Sequence, residues 1–174
     1  MFHRAKSPDQ IFVHLVDTYL DRVYRYLCNL TRDDDAARDL SHETFLRLRK
    51  QVDKGTEISE AYVFTTARNT ALSTWRNDKR EATKRDAFQL EHVSQSSIAS
   101  SAVENSELRQ ALEEALGLLS EENRSVFLLS EVEGLKYEQI AKVLGISMGT
   151  VASRKFNASR ALRGEMERMG YELP

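Results

Sequence analysis

The chain is poor in the residues that interrupt helices and in those that build disulfide or metal sites. It has 174 residues but only seven glycines and two prolines, which disfavours turn-rich β-sandwiches and favours helices. Its single cysteine, Cys28, excludes an intramolecular disulfide framework and a thiolate zinc cage, and the four histidines lack metal-ligand spacing. No apolar leader follows Met1, and no apolar run approaches the roughly 18 residues needed to span a bilayer. These absences predict an all-α, cytoplasmic protein without membrane insertion.

Charge is nearly balanced over the whole chain but is unevenly distributed. The formal net charge is −2; residues 1–84 have 15 Lys and Arg against 13 Asp and Glu, residues 85–116 have 2 against 6, and residues 117–174 have 8 against 8. Two basic clusters are present: Arg68, Arg76, Lys79, Arg80, Lys84 and Arg85, and then Arg154, Lys155, Arg160 and Arg163. Because phosphate neutralisation is local, they favour two nucleic-acid contacts. From charge alone, two solvated helix faces are an equally good interpretation.

Apolar residues recur at helical spacing in two separate segments. Ser7 and Pro8 predict a helix start, and the stripe from Ile11 to Leu27 predicts one long amphipathic helix. Residues 33–35 are three aspartates that predict the start of a second helix, and a third helix follows the loop 55–59.

The pattern then stops and resumes. Residues 86–105 are Ser-rich with little apolar periodicity, which predicts a flexible linker. From Leu108 the helical spacing returns, with Ser120 as the cap of a helix that ends at Gly134. We therefore expect an all-α protein of two small helical domains, residues 1–85 and 106–174, joined by the linker 86–105.

The most specific motif runs from Lys136 to Val151. The apolar stripe of its first helix consists of Ile140, Ala141 and Leu144. Gly145 permits the left-handed backbone of a tight turn, and Ser147 can cap the next helix. This arrangement predicts a helix-turn-helix. An ordinary helical hairpin with a capped second helix is the alternative.

The second helix of the motif has an outward face suited to a major groove. Its core-facing residues are predicted to be Val151, Ala158 and Leu162, and its outward-facing residues Gly149, Ser153, Phe156, Asn157 and Arg160. Ser and Asn can bond base edges, Phe can touch a thymine methyl, and Arg can meet a phosphate or guanine. Lys155 shares the register of Val151 and is expected to lay its stem along the protein instead of touching DNA.

Residues 62–80 combine aromatic, polar and basic side chains. This combination is typical of single-stranded nucleic-acid binding, because bases stack on rings while cations hold the backbone. Phe64 and Trp75 lie on the apolar stripe and are better interpreted as core residues. Asn69 and Thr70 are the favoured readers.

No catalytic or metal site emerges from the sequence. There is no Gly-rich phosphate loop, no His-Glu-x-x-His motif and no nucleophile–base pair that includes Cys28 or His14. The three aspartates lack the remaining spaced ligands of a calcium loop. We expect no enzymatic activity, no metal and no cofactor.

Six segments, in their order and spacing, resemble one protein family. They are Tyr19–Leu27, Asp35–Leu48, Ala67–Leu72, Leu119–Leu129, Glu133–Ala141 and Gly149–Arg154. Together they are similar to the bacterial extracytoplasmic-function sigma factors, the minimal two-domain class of RNA polymerase specificity subunit. The resemblance covers nearly the whole chain and implies sigma domain two in residues 1–85 and sigma domain four in residues 106–174.

The resemblance implies three partners: core RNA polymerase, promoter DNA and an anti-sigma factor that masks the polymerase-binding surfaces. The helix that grips the clamp coiled coil of the largest polymerase subunit would contribute Asp39, Leu40, Glu43, Phe45 and Leu46.

The same resemblance implies two promoter contacts. The melted element, read partly through a flipped-out base, would be bound by Asn69, Thr70, Arg76 and Arg80, with the loop 53–59. The duplex element farther upstream would be read by Thr150, Ser153, Arg154, Phe156 and Asn157. The linker would thread toward the RNA exit channel. Asn157 stands where the family usually has Arg, which predicts an altered base preference.

Two other functions remain open at this point. A sigma mimic would sequester an anti-sigma factor without touching DNA, although the basic outward face of the second helix speaks against it. An autonomous helix-turn-helix repressor would need a dimerisation helix, and none is evident in the sequence.

Overall fold

The computed structural model describes residues 7–84 and 106–171, with side chains for residues 7–76 and 107–171. Within these ranges the regular secondary structure is entirely helical, as predicted. The predicted linker, residues 86–105, lies outside the described residues, and so does the side chain of Arg80.

The first helical unit consists of α1 (Pro8–Thr31), α2 (Asp34–Asp53) and α3 (Glu60–Lys84). Both predicted helix starts are confirmed: the Ser7 hydroxyl and the Asp33 carboxylate each accept a hydrogen bond from a backbone N–H three residues on. Such caps satisfy donors that the first helical turn leaves without partners.

The three helices pack around a shared apolar core. Its fully buried members include Val23, Tyr26, Leu27, Leu48, Val63, Phe64 and Ala67. The Tyr26 and Phe64 rings meet edge to face with centroids 5.6 Å apart, so α1 and α3 are in direct contact. The interpretation of Phe64 as a core residue is therefore confirmed.

The second helical unit follows the undescribed segment. Its elements are α4 (Ser106–Gly117), α5 (Glu121–Phe127), a π-helical turn (Leu128–Val132), α6 (Tyr137–Leu144) and α7 (Met148–Arg168). Ser120 caps α5 as predicted, since its hydroxyl accepts from the backbone N–H of Asn123.

The π-helical turn is the main departure from the predicted helices. The pattern predicts one helix from Ser120 to Gly134, but the backbone widens after Phe127, where Glu133 N–H bonds to the carbonyl of Leu128. One extra residue in a turn rotates the following positions by roughly 100° about the helix axis. Glu133, which follows the π-helical turn, is buried.

The two units pack against each other, an arrangement that the sequence did not predict. α3 lies against α6, and α1 lies against the π-helical turn and α5. We call this contact surface the joint.

Candidate nucleic-acid interface

The helix-turn-helix predicted for residues 136–151 is present. Gly145 ends α6 with a left-handed backbone at φ 65°, the conformation for which glycine is suited. Ser147 then starts α7 by accepting a hydrogen bond from Thr150 N–H at 3.1 Å. The predicted core-facing residues Val151, Ala158 and Leu162 are all buried. The turn, the cap and the buried stripe together hold α7 across α6.

The opposite face of α7 is open to solvent. Ser153 and Asn157 are exposed, and the Phe156 ring is 65% exposed with the Arg160 guanidinium 5.9 Å from its centroid. A large exposed ring among polar and cationic side chains has no role in the core. This face can contact base edges and methyl groups.

Thr150 and Arg154 lie at the edge of that face, and both are partly buried. The Thr150 hydroxyl is 2.9 Å from the Ser147 hydroxyl, and the Thr150 carbonyl accepts from Ser153. Thr150 therefore also belongs to the cap that begins the helix.

Lys155 is held against the protein, as its register predicted. Its ammonium group lies 2.6 Å from a carboxylate oxygen of Glu131 and 5.7 Å from the centroid of the Tyr137 ring. The hydrogen bond to Glu131 raises the pKa of Lys155. Among the cations of the second basic cluster, this one faces the π-helical turn.

The residues of α3 that are predicted to bind the melted element are not all exposed. Asn69 and Arg76 are exposed. Thr70 is only 1% exposed, and its hydroxyl donates to the carbonyl of Thr66. A base cannot reach the Thr70 side chain in this packing, because that side chain is buried where α3 packs against its neighbouring helices. The side chain of Arg80 lies beyond the part described.

Only some of the α2 residues predicted to bind polymerase are exposed to solvent. Asp39 and Glu43 are exposed, and Leu46 is 59% exposed. Leu40 and Phe45 point into the core instead. An exposed leucine beside two carboxylates is a surface suited to a protein partner, while the two buried residues anchor the helix that carries it.

Several charged residues meet at the joint, and the sequence analysis assigned none of them to a contact between the units. Arg22 binds Glu60 of its own unit at 2.8 Å and Glu133 of the second unit at 3.0 Å. Burial works to lower the pKa of Arg22, but the hydrogen bonds to Glu60 and Glu133 outweigh it and raise the pKa. Arg68, counted in the first basic cluster, binds Glu121 at 3.1 Å. No local pattern identifies these pairs, because their partners are far apart in sequence.

The described residues also bear on catalysis and metal binding. No group of three or more His, Cys, Asp or Glu among them could hold a metal ion. Cys28 is buried, and burial raises the pKa of its thiol, which opposes formation of a reactive thiolate. Of the helices described, none combines the length and apolar character required to cross a membrane.

Comparison with known families matches both units. The model for sigma-70 region 2 matches residues 15–81, and the model for sigma-70 region 4 matches residues 109–162. The first match contains α2 and most of α3, and the second contains the helix-turn-helix.

Two curated relatives are similar along most of the chain. The ECF RNA polymerase sigma factor SigL of Mycobacterium tuberculosis is 34% identical over 161 residues, which cover 90% of this chain and 89% of SigL. The ECF RNA polymerase sigma factor SigE of Mycolicibacterium smegmatis is 31% identical over 164 residues, which cover 91% of this chain but 62% of SigE.

A solved structure has a similar fold. The sigma factor RpoE from Bartonella quintana, crystallised in complex with the anti-sigma factor NepR, matches with a TM-score of 0.78 and 26% identity, over 90% of this chain and 97% of RpoE. Sigma factors are transcription initiation factors rather than catalysts. The two sigma-70 regions, the identity to SigL and the exposed polar face of α7 agree, and the chain belongs to the extracytoplasmic-function class of RNA polymerase sigma factors.

Proposed function

We propose that the chain directs core RNA polymerase to promoters through one polymerase contact and two DNA contacts. The observation that carries this proposal is the outward face of α7, where Ser153, Phe156 and Asn157 are exposed on a helix held by a capped turn and a buried stripe. These groups, with Thr150 and Arg154 at the edge, read the duplex element in the major groove.

We divide the chain for this purpose as the sequence suggests. Residues 1–85 form sigma domain two, residues 106–174 form sigma domain four, and residues 86–105 are the linker that threads toward the RNA exit channel. Within domain two, α2 binds the polymerase clamp through Asp39, Glu43 and Leu46, supported from below by the buried Leu40 and Phe45.

The melted promoter element binds along the exposed side of α3. Asn69 bonds a flipped-out base, and Arg76 and Arg80 hold the backbone of the unpaired strand. Thr70 does not act as a reader in this proposal, because its side chain lies inside the first unit.

The activity rests on binding energy alone, without catalysis by this chain. Each DNA contact is weak by itself, and docking both domains on one polymerase gives them a high effective concentration at the promoter. Capture of unpaired bases favours the melted state. The protein acts in the cytoplasm, where its polymerase and promoters are.

Regulation by an anti-sigma factor fits the same scheme. RpoE of Bartonella quintana, whose fold this chain shares, was crystallised with its anti-sigma factor NepR. We propose that an anti-sigma factor binds this chain in the packed arrangement of its two units and keeps it from polymerase.

Run-off transcription tests the proposal. The purified chain, added to core polymerase and a library of promoter fragments, is expected to co-purify with core and to confer start-site selection. A variant with Ser153→Ala and Asn157→Ala is the matched control, since it retains the polymerase contact. A chain that binds core but never selects a start site, or selects the same sites as the control, contradicts the DNA contacts.

The alternative function is a sigma mimic that sequesters an anti-sigma factor. It predicts capture of the anti-sigma factor without promoter binding or transcription. An autonomous repressor predicts dimers on a palindromic operator in the absence of polymerase.

A further inference from the structure

The exposed face of α7 offers a small set of chemical groups to DNA. We call Ser153, Phe156, Asn157 and Arg160 the reading face, and all four side chains are exposed. No Asp or Glu occurs in α7 before Glu165, so this part of the helix has no negative charge that would repel phosphates. Each member of the reading face can therefore be matched against the groups that a base pair presents in the major groove.

Asn157 has a hydrogen-bond acceptor and a donor side by side. Its amide carbonyl oxygen accepts, and its amide NH2 group donates. In the major groove, adenine presents an amino donor beside the N7 acceptor, whereas guanine presents two acceptors, and cytosine and thymine present one polar group each. Adenine alone can form two hydrogen bonds of opposite direction with the same amide. The chemistry of Asn157 therefore selects adenine.

Ser153 has only acceptor capacity left for DNA. A hydroxyl has one hydrogen to donate and two lone pairs that accept. The Ser153 hydroxyl donates its hydrogen to the carbonyl of Thr150 at 3.1 Å. The bases that donate in the major groove are adenine and cytosine, through their amino groups. Because Ser153 and Asn157 are four residues apart on one helix face, both favour bases that have an amino group.

Phe156 has no polar side-chain atom, and its ring is 65% exposed. The apolar group that the major groove displays is the C5-methyl group of thymine. The Arg160 guanidinium lies 5.9 Å from the ring centroid, within cation–π range, and steadies the ring on the helix surface. The Cα atoms of Phe156 and Asn157 are about 3.8 Å apart, close to the rise of about 3.4 Å between base pairs. The thymine therefore belongs to the pair that Asn157 contacts or to a pair beside it.

The helix surface allows a base to approach closely enough for a side chain as short as asparagine. Gly149 lies one turn before Ser153 and is exposed. A Cβ atom there would meet the Ser147 hydroxyl oxygen at 3.8 Å, an ordinary contact distance, so packing inside the protein does not require glycine. Glycine also destabilises a helix relative to alanine. What the missing side chain provides is room for a ligand at the backbone.

We propose that α7 reads an A·T pair in the upstream element, where Asn157 bonds N6 and N7 of adenine. Phe156 packs on a thymine methyl group of the same pair or of an adjacent pair, and Arg160 keeps the ring in place. This inference rests on the proposed function, because it names the bases that the duplex contact takes.

A change of base preference tests the adenine assignment. Holoenzyme assembled from the full chain and core polymerase is offered duplexes randomised in the upstream element. The wild type is expected to select adenine at one position where Asn157→Arg selects guanine, because a guanidinium donates twice and matches O6 and N7 of guanine. Lys155→Met is the matched control on α7, since Lys155 is bound to Glu131, and is expected to retain adenine.

Base analogues in the selected duplex test each contact separately. Replacing that adenine by 7-deazaadenine removes the N7 acceptor and is expected to weaken wild-type binding at least about fivefold. Asn157→Ala has already lost the contact and should bind both duplexes equally.

Replacing thymine by deoxyuridine removes only the methyl group. At the thymine beside Phe156, this is expected to weaken wild-type binding about threefold, the effect of one methyl group that is no longer buried. Phe156→Ala should bind the two duplexes equally. Because Phe156 and Asn157 are exposed, circular dichroism of both alanine variants is expected to match the wild type.

The proposal is overturned if no position responds to Asn157→Arg, or if the wild type selects a base other than adenine at the position that does. It is equally overturned if 7-deazaadenine or deoxyuridine leaves wild-type binding unchanged, or weakens the corresponding alanine variant as much as the wild type. Failure of the proposed function has a different signature: the chain would bind core polymerase, yet neither wild type nor variants would enrich any upstream sequence, and the inference would fall with it.

Discussion

The two helices proposed to face promoter DNA, α3 and α7, have similar polar and basic side chains, but these side chains differ in exposure and in their partners. Along α7, Ser153, Phe156 and Asn157 are exposed. Along α3, Asn69 and Arg76 are exposed, but Thr70 is in the core and Arg68 is paired with Glu121 across the joint. α3 packs against α1, α2 and α6, so less of its surface is free for DNA. A polar or basic residue on a helix is thus evidence of nucleic-acid contact only after its neighbours are known.

The same substitution at one buried and one exposed position gives the largest expected difference. Thr70→Arg places a charge in the core of the first unit and is expected to lower the free energy of unfolding by about 3 kcal/mol or more. Ser153→Arg, on the open face of α7, should change it by no more than about 0.5 kcal/mol. Urea unfolding followed by circular dichroism measures both. Equal losses would mean that the two helices are equally enclosed.

Two neighbouring residues on α3 are expected to have different roles: Asn69 contacts a base, and Thr70 supports the structure of the helix. Asn69→Ala is expected to reduce open-complex formation by the holoenzyme about tenfold, since a hydrogen bond to a base is lost. Thr70→Val removes only the hydroxyl bonded to the Thr66 carbonyl and should leave melting intact. Permanganate reactivity of promoter thymines reports melting. An unchanged pattern with Asn69→Ala, or a loss with Thr70→Val, would reverse the assignment.

Base preference on α7 offers a smaller effect. Ser153→Ala with Asn157→Ala is expected to shift the preference for the upstream element by about fivefold at the contacted bases. Lys155→Met is the matched control on the same helix, because Lys155 is paired with Glu131 and should not touch a base. Holoenzyme binding to a randomised upstream library measures both profiles. A changed profile for Lys155→Met would place this side chain at the DNA.

The smallest effect concerns the start of α7. Ser147→Ala removes the hydroxyl that accepts from Thr150 N–H and is expected to cost about 1 kcal/mol of stability. Ser147→Asp should retain most of it, because a carboxylate also caps a helix and suits the positive end of its dipole. Thermal unfolding of the three proteins compares them. A Ser147→Asp protein as unstable as Ser147→Ala would show that the capping bond is not what starts the helix.

Much of the fold could be predicted because its determinants are local. The helix starts at Ser7, Asp33, Ser120 and Ser147, and the left-handed Gly145, each depend on residues within one turn of chain, so neighbouring residues predict them. The helix predicted from Ser120 to Gly134 is α-helical only as far as Phe127. Residues 128–132 form a π-helical turn, a departure that helical spacing does not encode.

Only part of the candidate site could be predicted from the sequence. The open face of α7 follows from the register of its core residues, so Ser153, Phe156 and Asn157 could be placed outward from the sequence. Leu40 and Phe45 are assigned to contacts by resemblance, and Thr70 by the composition of its segment as well, yet the side chains of all three are buried. A single helix has one apolar stripe, but α2 and α3 have neighbours on more than one side, and the sequence of one helix does not reveal them.

By itself, the sequence determined the helical class, the helix starts, the helix-turn-helix and the sigma-factor family, because each depends on residues a few positions apart or on motifs in fixed order. Only the tertiary structure decided which charged residues form ion pairs within the molecule. Arg22 and Glu133 are 111 positions apart, and Arg68 and Glu121 are 53 apart. Whether such groups meet depends on how the two units pack, and short-range patterns carry no information about that packing.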